Sequence, residues 1–164
     1  MVDYLDYEEY QSFISSIERE RDKLVAQFLY ESGCTVSELA ELKTSAIRSD
    51  GTITFSDRAA TISPQLAHTV LKQANAFAFS SRQDESITPK RLQQILKPHL
   101  ARIRRGKVTP LVLRYTHIVH AYQQGLPLTT ICKQTGLTPV RLAQILSNLP
   151  TQQVRYVLGR GGQK

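Results

Sequence analysis

Lysines and arginines accumulate in the second half of the chain, where no acidic side chain accompanies them. From Ser86 to Lys164 the sequence carries thirteen Lys or Arg and no Asp or Glu, whereas residues 1–85 carry eight basic and fourteen acidic residues. The formal net charge of +7 therefore divides into +13 on the second half and −6 on the first. Solvated surfaces usually mix both signs. The imbalance favours a face that binds a polyanion over a basic half that is merely solvated.

One predicted helix concentrates much of this charge. Thr88-Pro89 is typical of a helix start, with Thr as the N-cap and Pro in the first turn, and the helix is predicted to end near residue 105. The candidate binding side chains on it and just beyond it are Lys90, Arg91, Gln94, Lys97, Arg102, Arg104, Arg105 and Lys107. The Thr88 hydroxyl and the helix N-terminus add a seat for a phosphate group. Any one of these cations could equally be solvated surface, so the prediction depends on the cluster.

Other residues that could carry chemistry lack the required neighbours. Cys34 and Cys132 have no CxxC or His-rich surroundings, so we expect reduced thiols, no metal site and no cofactor. His117 and His120 share a predicted helix and are interpreted as structural. The Gly-rich run 159–162 is expected to be part of a flexible basic tail at 159–164, since no strand–turn–helix phosphate cradle can form there.

Length and composition favour one folded domain, predicted to cover residues 1–158. Apolar residues make up 41% of the 164 positions, enough for a real core. No apolar run approaches the roughly 20 residues that cross a bilayer. The acidic N-terminal sequence lacks the features of a signal peptide, so a cytoplasmic location is expected.

The elements that would position these residues are mainly helical, which predicts a mainly α (α+β) fold with a small β element. The predicted helices cover 5–17, 21–31, 37–42, 64–75, 89–105, 110–124, 128–135, 139–146 and, weakly, 151–158. Residues 52–55 and 60–62 are predicted to form a hairpin, and 76–79 a short strand. Asp6 or Tyr7, Thr35 or Ser37, and Thr109 are the candidate N-caps, and Gly33 is predicted to end the second helix.

Two segments, 32–47 and 127–146, each combine a short helix, a turn containing Gly and a second helix. This is the pattern of helix-turn-helix units that place a helix in the major groove of DNA. It also occurs in plain helical hairpins, so neither segment alone establishes DNA binding. Lys133 and Arg141 lie on the second of these units.

The order of the motifs resembles the catalytic domain of the tyrosine recombinase (phage integrase) family over nearly the whole chain. The family's Arg-Asp-Lys and Gly-Leu-Arg-x-Ser-Glu-Leu motifs are similar to Arg21-Asp22-Lys23 and to GCTVSEL at 33–39. Its Thr-Pro-His-x-Leu-Arg-His motif is similar to TPLVLRY at 109–115. Its final Gly turn and the helix that carries the nucleophilic Tyr correspond to Gly136 and the helix through Leu146.

The resemblance implies that the catalytic residues are largely missing. In the family two Arg and a His hold the scissile phosphate, a hairpin Lys protonates the leaving oxygen, and a Tyr attacks phosphorus, because the transition state spreads negative charge over the phosphoryl oxygens. The corresponding positions here are Thr35 for the first Arg, Leu111 for the His, Leu137 for the second His, Leu146 for the nucleophile and Arg58 near the Lys. Arg114 alone stands where the family needs it. Tyr156, ten residues after Leu146, and Tyr115 are left as alternative nucleophiles.

The resemblance also implies that double-stranded DNA is the polyanion. The helix that begins after Thr88 corresponds to the helix that family members place in the major groove. The Ser-Glu-Leu motif is followed by Lys43, Thr44 and Ser45, at positions where family members contact the DNA backbone. The predicted DNA-binding residues are thus Lys43, Thr44, Arg58, Thr88, Lys90, Arg91, Gln94, Lys97, Arg102, Arg104, Arg105, Lys107, Arg114, Lys133 and Arg141. Gln93 and Gln94 could read adenine edges, although the sequence does not decide this.

We therefore expect a catalytically inactive, recombinase-derived protein that binds duplex DNA with low specificity, as nucleoid or chromatin proteins do. The chain is expected to lack the family's separate N-terminal core-binding domain, which fits that role. A sequence-specific transcriptional regulator or recombination accessory factor is the main alternative. An active recombinase that uses Tyr156 and a protein-interaction module are the others. Self-association through residues 147–164 is expected only by analogy.

Overall fold

The computed structural model describes residues 3–103, 108–147 and 149, and shows a helical fold with one small hairpin. In chain order the helices are α1 (Tyr7–Ser16), α2 (Glu20–Ser32), α3 (Val36–Glu41), α4 (Pro64–Gln73), α5 (Pro89–Ile103), α6 (Leu111–Gln123), α7 (Leu128–Thr135) and α8 (Pro139–Leu146). Strands β1 (Thr52–Thr54) and β2 (Ala59–Thr61) form an antiparallel pair with Ile53 opposite Ala60. The mainly α fold with a small β element is confirmed.

Side-chain caps fix several helix starts where the sequence predicted them. Asp6 and Thr35 each form a capping box, with Glu9 and Glu38 respectively. Each box satisfies two backbone N–H groups that a helix N-terminus leaves without partners. Gly33 ends α2 with φ +70°, a left-handed conformation that strains a residue carrying a Cβ.

Two sequence predictions about local structure are wrong. Residues 76–79 do not form a strand, since their pairing is confined to the bridge between Lys43 and Phe77 and two backbone hydrogen bonds with residues 42–44. Helix α6 begins at Leu111 with Pro110 as its cap residue, and the Thr109 side chain makes no capping hydrogen bond. The carbonyl oxygen of Thr109 instead accepts from the N–H of Val112 at 3.0 Å.

Two hydrophobic clusters form the core of the described residues. The larger one joins α1 to α5, the hairpin and the first turn of α6 around fully buried side chains such as Phe13, Phe28 and Phe79. The smaller one joins α6, α7 and α8 around Ile118, Ile131 and Leu142. Helix α6 packs against α2 on one side and α7 on the other, and α7 also contacts β2. This packing brings the end of α2, the start of α3, the hairpin and the end of α7 together.

Within the described residues, no helix combines the length and the apolar composition needed to cross a membrane. The weak helix predicted at 151–158 and the tail at 159–164 lie outside them.

Candidate functional site

Two of the positions that the family resemblance assigns to catalysis, Arg58 and Arg114, lie where α7 ends. Arg58, in the turn between β1 and β2, donates from Nε to the carbonyl oxygen of Gln134 at 2.7 Å. Arg114, on α6, donates from Nη2 to the carbonyl oxygen of Thr135 at 2.8 Å. Gly136 follows directly, and a Cβ added there would lie 3.1–3.2 Å from the Asp57 and Arg58 side chains. Two arginines from distant segments of the chain therefore meet at the C-terminal end of α7.

The Arg58 guanidinium is held inside the protein by carboxylates. Its Nη1 and Nη2 atoms lie 2.5 and 3.0 Å from the two carboxylate oxygens of Glu38, and Nη1 also lies 2.9 Å from Asp57. Only 7% of the Arg58 side chain is exposed, and its guanidinium carbon sits 4.6 Å from the centre of the Phe55 ring. The predicted DNA contact by Arg58 therefore has no support from its location, because its donors already have internal partners.

The carboxylate of Glu38 is fixed by α3 as well as by Arg58. Its Oε1 atom accepts from the Thr35 backbone N–H at 2.9 Å and from the Thr35 hydroxyl at 3.2 Å. Burial raises the pKa of Glu38, but the hydrogen bonds from Arg58 and Thr35 outweigh it and hold that pKa below its ordinary value. Glu38 is thus an internal anion beside the position that the family gives to its first catalytic Arg.

Arg114 is buried and bonds to backbone carbonyls. Nη1 donates to the carbonyl oxygen of Gly33 at 2.5 Å while Nη2 bonds Thr135, so the side chain connects the end of α2 to the end of α7. It is 9% exposed, and desolvation by burial lowers its pKa. The predicted phosphate contact by Arg114 would need donors that these carbonyls now occupy.

Three further positions that the resemblance assigns to catalysis, Leu111, Leu137 and Leu146, carry apolar side chains. Leu137 and Leu146 are half-buried against the smaller core cluster. Leu111 is 43% exposed at the start of α6. None of the three can donate a proton or attack phosphorus. Tyr115 packs against the same cluster, with its hydroxyl 3.5 Å from Nη2 of Arg141, and Tyr156 lies outside the described residues.

The two histidines of α6 have structural partners. His117 donates from Nδ1 to the carbonyl oxygen of Tyr30 at 2.8 Å, and burial lowers its pKa to about 4. His120 contacts the Leu5 carbonyl through Nε2 at 2.8 Å and the Tyr30 hydroxyl through Nδ1 at 2.7 Å. One neutral tautomer satisfies both contacts of His120, with Nε2 protonated and Nδ1 accepting. These hydrogen bonds and their burial fit the structural interpretation of both residues.

Helix α5 carries most of the exposed predicted DNA-binding residues. The Thr88 hydroxyl accepts from the N–H of Arg91 at 3.1 Å and so caps the first turn. The exposed polar side chains of α5 are Lys90, Arg91, Gln93, Gln94, Lys97 and Arg102. Arg104, Arg105 and Lys107 lie outside the described residues.

These side chains form two neighbouring stripes on α5. Lys90, Gln93 and Lys97 share one stripe, since residues three and four apart lie on the same helix face. Arg91, Gln94 and Arg102 share the other, which is one wall of a groove. Leu92, Leu96 and Leu100 hold the opposite face in the core, with no exposed area.

The groove has a volume of about 950 Å³ and lies between α5, the turn from α1 to α2, and residues 80–88. Three arginines that the sequence analysis did not select line it, namely Arg19, Arg21 and Arg82. They belong to residues 1–85, whose net charge is negative, so a count of charge by halves of the chain does not select them. The signal that could have found them is their position, since Arg19 and Arg21 flank the start of α2 and Arg82 lies in the loop that leads to α5.

Four other predicted contact residues lie outside α5, and three of them are exposed. Lys43 is exposed, whereas the Thr44 hydroxyl already donates to the carbonyl oxygen of Asn75. Lys133 on α7 and Arg141 on α8 are exposed as well.

Comparison with known proteins identifies sequences and structures that are similar to this chain. No protein-family model matches the chain. The tyrosine recombinase XerA of Pyrococcus furiosus is 29% identical over 175 aligned positions, which cover 95% of this chain and 60% of XerA. The chain is thus homologous to a tyrosine recombinase and spans about 60% of the length of that relative.

Solved structures establish the fold. A crystal structure of XerA recombinase superposes with a TM-score of 0.85 at 21% identity, covering 98% of this chain and 66% of that one. XerH bound to its difH substrate gives 0.74 at 17% identity, covering 94% and 53%. A lambda integrase dimer bound to a core site gives 0.70 at 16% identity, covering 87% and 47%. The fold is that of the tyrosine recombinase catalytic domain.

Proposed function

We propose that this recombinase homologue binds duplex DNA without cutting it, as a low-specificity architectural protein of the nucleoid or chromatin type. The observation that carries the proposal is the internal use of Arg58 and Arg114, the two cations found at catalytic positions. Glu38, Asp57 and backbone carbonyls already occupy their donors.

The missing groups account for the proposed lack of cleavage. Phosphoryl transfer needs cations where negative charge develops, and one lost transition-state donor costs about 2.7–4 kcal/mol in a comparable oxyanion site. Thr35 and Leu111 supply no charge, and Leu146 cannot form a phosphotyrosyl bond. An arginine at the position of Arg58 stays protonated, so it is a poor general acid for the leaving oxygen.

The exposed side chains of α5 support DNA binding. Lys90, Arg91 and Lys97 form no ion pair with another described residue, and α5 is long enough to follow a groove of the DNA. XerH, the Tn1549 integrase and lambda integrase have been solved as complexes with DNA. Extending that property to this chain is part of the proposal.

Low specificity follows from the kinds of contact available. Lysine and arginine mostly bind phosphates, which give affinity and little sequence information. The exposed Gln93 and Gln94 favour a second candidate, a sequence-specific regulator or a recombination accessory factor, because Gln can pair with the adenine edge. Footprinting separates the two, since uniform protection supports the architectural role and a single protected operator supports regulation.

A gel-shift series with random duplexes at increasing salt tests the proposal. If about 6–10 phosphates are contacted, affinity should fall roughly 10³–10⁵-fold between 50 and 200 mM salt. A nearly flat salt dependence would contradict DNA binding and leave a protein-interaction module as the better candidate. Self-association through residues 147–164 stays a prediction, because most of that segment lies outside the described residues.

A further inference from the structure

Arginines from three separate segments meet in the groove beside α5. Arg19 comes from the turn before α2, Arg82 from the loop that follows residue 79, and Arg91 from the first turn of α5. All three side chains are exposed, and no hydrogen bond or ion pair ties their guanidinium groups to another described residue. The groove therefore presents cations that come from both halves of the chain.

Two further arginines stabilise the walls of the groove. Arg21 donates to the carbonyl oxygen of Ser80, which ties the start of α2 to the loop. Arg102 donates from Nη1 to the carbonyl oxygen of Ser16 at 3.3 Å, which ties α5 to the end of α1. These contacts join the walls of the groove to one another, so the segments that carry Arg19, Arg82 and Arg91 are connected before any ligand arrives.

One of the three carboxylates in the groove is engaged with a neighbour. Asp22 lies 3.0 Å from Nε2 of His99, and the side chains of both are 12% exposed. Glu18 and Glu85 are exposed and line the same groove. The cations are thus spread over a space of about 950 Å³ and interrupted by two carboxylates. That arrangement suits an extended ligand with repeated negative charges better than a single small anion.

We infer that one phosphate backbone of the bound duplex lies in this groove, with Arg19, Arg82 and Arg91 as its ligands. The inference rests on the proposed function and assigns the two stripes of α5 different tasks. The stripe that contains Arg91 faces the phosphate backbone of the DNA. Lys90, Gln93 and Lys97 lie on the other stripe, which faces the major groove of the DNA. Thr88, which caps the N-terminus of α5, also lines the groove, so the positive end of the helix dipole lies beside it.

The test compares single substitutions by the slope of log affinity against log salt on a random-sequence duplex. Arg19→Gln and Arg82→Gln should each reduce the magnitude of the slope by about 0.9 and weaken binding roughly fivefold at low salt. Glu85→Gln should act in the opposite direction and strengthen binding by about twofold to fivefold. Arg48→Gln is the matched control, since Arg48 is exposed outside the groove and lies 3.6 Å from Asp50. Thermal melts verify that each variant is folded.

The outcomes separate the inference from the proposed function. If Arg19→Gln and Arg82→Gln bind as Arg48→Gln does while Lys97→Gln loses affinity, the backbone lies elsewhere and the DNA-binding proposal stands. If the unaltered protein binds no DNA at low salt, both fail. A strengthened Glu85→Gln variant together with two weakened arginine variants supports the groove, because a general loss of folding cannot produce opposite signs.

Discussion

Arg58 and Glu38 form a bidentate ion pair in which Nη1 and Nη2 of the arginine lie 2.5 and 3.0 Å from the two carboxylate oxygens. The pair joins the β1–β2 turn to the first turn of α3, residues that are twenty positions apart. The family resemblance assigns Arg58 to a position near the catalytic hairpin Lys, and in this structure a carboxylate of the protein faces that cation. This arrangement has consequences for stability and for DNA binding that can be measured separately.

Glu38→Gln should destabilise the fold by about 3 kcal/mol, because it leaves the enclosed Arg58 without its main counter-charge. The loss should be toward the lower end for buried pairs, since 27% of the Glu38 side chain is exposed. Urea denaturation at neutral pH gives the free energy of unfolding. Glu41→Gln, an exposed change at the end of the same helix, is the control and should stay within about 0.5 kcal/mol of the parent. Equal effects of both variants would contradict a structural role for the pair.

The pair should also appear in the acid limb of the stability curve. The folded-state pKa of Glu38 lies below its ordinary value, so the unfolded chain binds the proton more readily. The stabilisation is therefore complete above the ordinary pKa of a glutamate and is lost as the pH falls through the lower folded-state pKa. Glu38→Gln should flatten the pH dependence of unfolding in that window. An unchanged slope would show that Glu38 titrates as it does in the unfolded chain.

Arg114→Met should reduce stability without changing how DNA binding depends on salt. The substitution leaves the carbonyl oxygens of Gly33 and Thr135 without their donor, and an unsatisfied buried group costs about 1–3 kcal/mol. Lys97→Gln should have the opposite pattern. Its melting temperature should stay unchanged, while the slope of log DNA affinity against log salt should become smaller in magnitude by about 0.9. Melting curves and gel shifts on the same preparations separate the two effects. A reduced slope for a folded Arg114→Met variant would restore Arg114 as a phosphate ligand.

Local signals in the sequence predicted more of the fold than of the site. Asp6 and Thr35, each one of two candidate caps, form the N-caps of α1 and α3, and Gly33 ends α2 as predicted, because these effects act within one turn. Thr109 failed as a cap because Pro110 took that position. The apolar composition of residues 76–79 predicted a strand, but in the structure these residues form only an isolated bridge with Lys43.

The direction of the arginines depends on tertiary packing, which a sequence pattern does not contain. Arg58 turns inward because the hairpin packs beside α3 and the end of α7, and no local rule relates it to Glu38. Arg19 and Arg82 were not predicted as DNA-binding residues because they lie in the half of the chain whose net charge is negative. Their proximity to Arg91 arises only when the α1–α2 turn folds against α5.

His117 should make the protein less stable in mild acid. Its folded-state pKa is lowered to about 4 by burial, whereas the unfolded value is near 6.5. Between these values the unfolded state binds more protons, so stability falls as the pH drops from about 6.5 to 4, by on the order of 2–3 kcal/mol. His120, whose pKa burial also lowers, acts in the same direction. Urea titrations at pH 7 and pH 5 should show a smaller difference for His117→Gln than for the parent, while His68→Gln, at an exposed site on α4, should not change it.

No covalent protein–DNA adduct should form on a nicked suicide substrate, and Leu146→Tyr should not produce one. A tyrosine at that position would regain a nucleophile, but Arg58 and Arg114 would still be held by Glu38 and by backbone carbonyls, and Thr35 and Leu111 would still supply no charge. The missing donors should keep the barrier several kcal/mol too high for detectable cleavage. Denaturing gels with end-labelled DNA detect an adduct, and a tyrosine recombinase on its own substrate is the positive control. An adduct in the parent that disappears in Tyr156→Phe would refute the proposed loss of catalysis and identify the nucleophile, whereas an adduct gained by Leu146→Tyr would show that the remaining site is still competent.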